Sequence, residues 1–233
     1  MPMVGWKLPK GVYDSQTICN CWPEWYWENY KYLRYCSKGI PIINSDEIAK
    51  QIRLAGIATN INTYEYSNME ASKLLQDNIE AGNPYGFETN LCDVDTWKFL
   101  LGIQKSGYEV NIIYLSTDNL GLLNERIAER VLRGEHYVSP NIVEERYRTS
   151  LKLLQHYLGA PNKILLLDNS TFCTPICEIE NSKTKLLVDN PPNWVNNLLI
   201  QPNETLGKKL VINEEFSSKE DVKEYYRNYL KNK

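Results

Sequence analysis

A chain of 233 residues with 42% hydrophobic and 24% charged residues has the length and composition of one globular domain with a sizeable core. Its formal net charge of −3 argues against a broadly basic nucleic-acid-binding protein. No apolar run is long enough to span a membrane, and the N-terminus lacks the apolar core of a signal peptide.

The six cysteines, Cys19, Cys21, Cys36, Cys92, Cys173 and Cys177, are scattered. Cys173 and Cys177 have no second Cys/His pair to complete a zinc site, so the thiols are expected to be reduced in a cytoplasmic protein.

In chain order, the first unusual segment is Asn20 to Cys36, NCWPEWYWENYKYLRYC, with three tryptophans and four tyrosines. From Gly39 onward the pattern changes to that of an α/β protein. Ile40–Ile43 (IPII) predicts a short buried strand ending in a polar loop. Ser45 or Asp46 is expected to cap a helix that stops near Gly56. Met69–Ala81 predicts a second helix, closed by Gly82 and Pro84. Tyr85–Thr89 (YGFET) predicts a short strand. Asp93 or Asp95 can cap a third helix, ending at Ser106-Gly107.

Glu109–Ser116 (EVNIIYLS) is the clearest strand. Leu122–Leu132 is strongly helical, Pro140–Leu158 contains another helix, and Lys163–Leu167 (KILLL) is another apolar strand. Lys183–Val188 and the following DNPPNW predict a strand and a turn, as in an edge hairpin. Ser217–Lys233 predicts a charged helix. Strands alternating with helices imply a mainly parallel sheet with helices on both faces.

Polar clusters fall at the carboxyl ends of three predicted strands, where such sheets place function. They are Asn44-Ser45-Asp46-Glu47, Glu88-Thr89 and Asp168-Asn169-Ser170. An arginine-rich segment lies between the last two: Arg126, Arg130, Arg133, Gly134-Glu135-His136, Arg146 and Arg148. Each has an ordinary structural reading. Asp46 suits a helix cap. Glu88 suits a solvated strand end, and Asp168-Asn169-Ser170 suits a turn. Arg126 and Arg130, interleaved with Glu125 and Glu129, suit an exposed ion-paired face.

Taken together, the order NSDEIA, GFET, YLST, ERIAERVLRGEHYVSPNIVEERYRTSL and LLLDNS resembles the zeta toxin family of P-loop small-molecule kinases. The resemblance runs from about Ile40 to Ser170. Its most specific block is Arg126–Leu151, where a GEH turn stands in place of a frequent Gly-Gly-His.

The resemblance implies a P-loop-kinase-like α/β fold that uses ATP and Mg2+ on a small-molecule hydroxyl substrate, such as a UDP-amino sugar, with an antitoxin protein as partner. It implies that Asp46 takes a proton from the acceptor hydroxyl. Glu88, with Thr89, lies near substrate or magnesium, and Mg2+ is held through ATP. Arg130 and Arg146 are lid cations for the transferring phosphoryl group, and Arg126 is on the nucleotide side. Phosphoryl transfer needs such parts because its catalysis is mostly positioning and electrostatics.

One part is missing. A P-loop kinase requires G-x-x-x-x-G-K-[ST] between its first strand and first helix, and residues 1–39 contain no such motif. Trp22, Trp25, Trp27, Glu28 and Asn29 occupy its place. Tryptophan has the single codon TGG, which read one base later is always glycine. Those three tryptophans therefore become G-x-x-G-x-G, and the codons of Glu28 and Asn29 permit Lys and Thr. The shifted peptide from Cys21 to Tyr30 can read AGPNGIGKTT, a complete phosphate-binding loop. The shifted codons of Gln16–Asn20 permit a short apolar strand before it.

The sequence thus predicts an out-of-frame segment from before Gln16 to near Cys36–Lys38, with the frame restored before Gly39. The expected organisation is an aberrant segment over 1–38, a kinase core with a C-terminal hairpin over 39–204, and a charged helical tail over 205–233. Residues 1–38 are expected to lack the central strand and loop of a P-loop core, leaving a gap in the sheet and an inactive chain. The alternative is a non-catalytic remnant or interaction protein with an aromatic N-terminal binding surface.

Overall fold

A computed structural model describes residues 17–20, 39–57, 62–132 and 137–199. Parallel strands carry the features that matter for function, beginning with β1 (Thr17–Asn20) and β4 (Asn111–Ser116). β4 is buried at every position, as expected for the continuous apolar run NIIYL in a sheet covered on both faces. It pairs in parallel with β1, from Thr17↔Asn111 to Asn20↔Tyr114, and with β5 (Lys163–Asp168), ending at Ser116↔Asp168.

β6 (Thr174–Glu180) returns antiparallel to β5 and forms a hairpin with β7 (Lys183–Leu186). The short strands β2 (Ile42–Ile43) and β3 (Gly86–Phe87) pair in parallel with each other. β3 also lies in contact with β1. The main sheet runs in the order β1-β4-β5-β6-β7, and β2-β3 forms a separate two-stranded sheet whose β3 lies beside β1.

That order corrects one expectation. A strand does stand at Thr17–Asn20, so the sheet has no gap between β3 and β4. The physical reason is the exposed ladder of β4: its backbone groups need a partner strand, and an extended tetrapeptide meets that need through main-chain pairing. Residues 21–38, which carry the expected loop disruption, lie outside the described residues, as does the charged tail.

The helices follow their sequence signals with local shifts. α1 (Ser45–Leu54) is capped by Asn44, not by Ser45 or Asp46. α2 (Thr63–Ala81) starts earlier than Met69 because Asn62 caps it, and it closes at Gly82 with φ +68°. α3 (Val94–Lys105) is capped by Asp93, which accepts from Thr96 N at 2.7 Å. α4 (Leu120–Leu132) and α5 (Pro140–His156) form a helix pair with its own small core of Leu123, Ile127 and Val143.

α6 (Asn193–Leu199) replaces part of the expected turn and buries Trp194, Val195 and Leu198. The main core joins these to β4, β5 and α3, with Trp97 stacked on Tyr157 at 4.7 Å between ring centroids. Among the described residues, no helix is long and apolar enough to cross a membrane.

Candidate active site

The carboxyl ends of β1, β4 and β5 share one edge of the main sheet because these strands run parallel, and the β2–β3 pair, itself parallel, meets β1 through β3. In open α/β sheets this edge carries the ligand site, in the crevice where strand order reverses. Here β1 pairs with β4 on one side and lies in contact with β3 on the other.

On the β2–β3 side, the register pairs Ile43 with Phe87, so the next residues, Asn44 and Glu88, come side by side. Glu88 N donates to Ile43 O at 3.0 Å, extending the ladder by one bond. Asn44 Oδ1 accepts from Asp46 N at 2.8 Å and from Glu47 N at 3.2 Å, and Asn44 Nδ2 donates to Glu88 Oε2. The structure thus brings Asp46 and Glu88 to one place, both half-buried. Thr89 Oγ1 accepts from Leu91 N at 3.4 Å. Leu91 has φ +48°, a left-handed conformation that costs a leucine about 1–2 kcal/mol. Full burial and the Trp97 Nε1 bond to its carbonyl at 3.3 Å hold it there.

On the β4–β5 side, Asp168 accepts from Ser170 N, Ser170 Oγ and Trp194 Nε1, each at 3.2 Å. The expected turn reading of Asp168-Asn169-Ser170 is therefore correct, but the turn also ties α6 to the sheet. Thr117 Oγ1 and Ser170 Oγ are 2.8 Å apart, linking the ends of β4 and β5. Arg126 Nη1 donates to Asn169 O at 3.1 Å. Burial lowers the Arg126 guanidinium to about 10, and the carboxylates of Glu129, Asp168 and Glu125 oppose that loss of charge.

From α5, Tyr147 donates its hydroxyl to Thr117 O at 2.8 Å. Burial raises the Tyr147 phenol. This bond sets the neighbouring, half-buried Arg146 on a helix fastened to the β4 end. Arg130 lies one turn beyond Arg126 on α4. Arg148 pairs with Glu144 at 2.7 Å on the exposed side, as a surface ion pair. Arg133 and Gly134-Glu135-His136 lie outside the described residues.

Against solved structures, the fold finds a counterpart. A chain from the PezAT chromosomal toxin–antitoxin system of Streptococcus pneumoniae aligns with a TM-score of 0.51 and 14% identity, covering 96% of this chain and 90% of that one. The protein has a zeta-toxin-like kinase fold. A gluconokinase from Sinorhizobium meliloti 1021 aligns over 68% of this chain and 85% of its own, with a TM-score of 0.40 and 12% identity. No protein-family model and no curated protein matches the sequence.

The phosphate-binding loop expected from the sequence resemblance would follow the first strand and cradle nucleotide phosphates with backbone N–H groups. β1 ends at Asn20, and residues 21–38 contain no glycine and no Lys-Ser or Lys-Thr pair. These residues do not fit a triphosphate. Trp22, Trp25, Trp27, Glu28 and Asn29 themselves lie outside the described residues. Among the described residues, no cluster of His, Cys, Asp and Glu side chains suits a protein-held metal ion. Tyr147 and Trp194 are residues at these strand ends that sequence reasoning gave no role, and Asn44, named there only as part of a polar cluster, was not read as the cap. Only Asn44 had a clear signal, since Asn caps helices as well as Ser or Asp.

Proposed function

We propose that this fold belongs to a kinase that moves a phosphoryl group from ATP, with Mg2+, to a hydroxyl of a small molecule such as a UDP-amino sugar, and that the chain as written is inactive. What supports the reading is that Asn44 joins Glu88 to the start of α1 beside Asp46, while Arg126 and Tyr147, the residue next to Arg146, bond to the chain just beyond β5 and β4. Asp46 is the proposed base for the acceptor hydroxyl, and Glu88 and Thr89 are its proposed acceptor-binding partners. Arg130 and Arg146 are the proposed cations for the phosphoryl group, and Arg126 is proposed to face the nucleotide. An antitoxin protein is the proposed partner.

The segment from before Gln16 to near Cys36–Lys38 is proposed to be an out-of-frame reading that replaces the missing loop, within an aberrant segment over 1–38 that precedes the core over 39–204 and the tail over 205–233. The test compares two purified proteins. One has the chain as written. The other is the loop-restored chain, whose codons from Gln16 are read one base later until the frame returns before Gly39. With ATP·Mg and a UDP-amino sugar, the expected result is no turnover by the first and clear phosphoryl transfer by the second. Turnover by the chain as written overturns the inactivity. Silence of a folded, loop-restored chain across nucleotide-sugar acceptors overturns the assigned reaction.

A further inference from the structure

We propose that Asn44 is a positioning residue that clamps Glu88 to the first turn of α1, beside Asp46. Its importance for catalysis rests on the kinase reading above, whereas the contact itself stands on described geometry alone.

The argument begins with what a cap requires. The N-terminus of α1 needs one acceptor, which Ser, Thr, Asp or Asn would supply equally well. Asn44 Oδ1 meets that need at Asp46 N and Glu47 N. Capping therefore does not explain the amide. Its other half does: Nδ2 donates to Glu88 Oε2, across from β3. A side-chain amide carries acceptor and donors on separate atoms. Asp would set another carboxylate against Glu88. Ser or Thr would have to accept and donate through a single, shorter-reaching oxygen.

The need for a donor follows from local charge. Asp46 and Glu47, both in the first turn of α1, stand with Glu88 around Asn44, and like charges at close range repel. A donor aimed at one Glu88 oxygen offsets that repulsion. It also fixes the carboxylate plane, leaving the orientation of the acceptor side set by β2–β3 register and not by a mobile rotamer. The sequence spacing makes this unavoidable: each residue follows directly on a paired strand end.

The test uses the full chain as written and nuclear magnetic resonance of labelled protein. In the parent, the Asn44 Nδ2 protons should shift as Glu88 titrates. In Glu88→Gln that pH-dependent shift should vanish. In Asn44→Ser, which keeps the cap acceptor, the Glu88 carboxyl carbon should titrate at higher pH than in the parent, because the charged form has lost its donor. Unchanged helicity by circular dichroism identifies this as a local effect. If Asn44→Ser does not fold, Asn44→Asp keeps a strong cap and should move the Glu88 titration up further.

Asn44 protons that ignore pH, or a Glu88 titration identical in the parent and the folded variants, would overturn the clamp. None of these readouts involves nucleotide or acceptor. A failed clamp is thus separable from a failed kinase reading, which the turnover of the loop-restored chain decides.

Discussion

At the residue scale, Asp168 shows how a strand-end carboxylate can be structural before it is anything else. It receives the Trp194 indole N–H and two donors from Ser170, and Trp194 is 3% exposed. Replacement by alanine would leave a buried indole donor without its acceptor, which costs about 1–3 kcal/mol. Asp168→Asn retains an acceptor oxygen at the same position and should lose less than about 1 kcal/mol. Urea unfolding at neutral pH, followed by tryptophan fluorescence, should rank the two variants in that order. Equal losses would mean that the charge, through Arg126, outweighs the hydrogen bonds. Arg126 itself is expected to contribute little to stability, since partial burial already weakens its charged form.

At the element scale, β1 is the strand that matters most, and it was the one least legible in the sequence. Its four residues pair with β4 through the backbone. In a strand, successive N–H groups point to opposite sides, so of Ile18 and Cys19 one must point its N–H toward β4 and the other away from it. Proline at whichever faces β4 deletes a ladder bond and places a ring against the neighbouring strand, a loss of more than about 1 kcal/mol. At least one of Ile18→Pro and Cys19→Pro should therefore lower the unfolding midpoint markedly. Two silent variants would show that Thr17–Asn20 is not a working part of the sheet.

Other elements were easier to read because their signals are local. The runs NIIYL and KILLL mark strands buried on both faces, and Gly82 and Gly107 mark helix ends whose φ of +68° and +100° excludes most side chains. β6 was missed because Thr174–Glu180 opens with an exposed residue and a proline, and becomes a strand only through pairing with β5. α6 was missed because Pro191-Pro192 reads as a turn. Proline at that place also suits a helix start, and Asp118, distant in sequence, accepts from Asn193 N and Trp194 N at 2.7 Å. The polar strand ends at Asn44–Glu47 and Glu88–Thr89 were legible as positions, while the roles proposed for Asp46 and Glu88 come from the resemblance. The site was not legible where a tertiary contact assigns the role, as for Tyr147 and Trp194.

At the scale of the whole molecule, the two halves of the proposed site depend on different parts of the chain. Asn44, Asp46, Glu88 and Thr89 stand on β2, β3 and α1, which are formed without the phosphate loop. The nucleotide side depends on one contiguous peptide after β1, and the sequence there supplies neither glycines nor the lysine. The chain as written should consequently respond to acceptor and not to nucleotide. A ligand at 100 times its dissociation constant stabilises the folded state by about 2.7 kcal/mol, which for a domain of this size raises Tm by roughly 5–10 °C. A UDP-amino sugar should produce such a rise, while ATP·Mg should leave Tm unchanged until the loop is restored. An ATP·Mg response in the chain as written would mean that the tryptophan-rich segment binds nucleotide in its own way. A chain blind to both ligands would remove the acceptor side from the proposal, because every element that builds it is already in place.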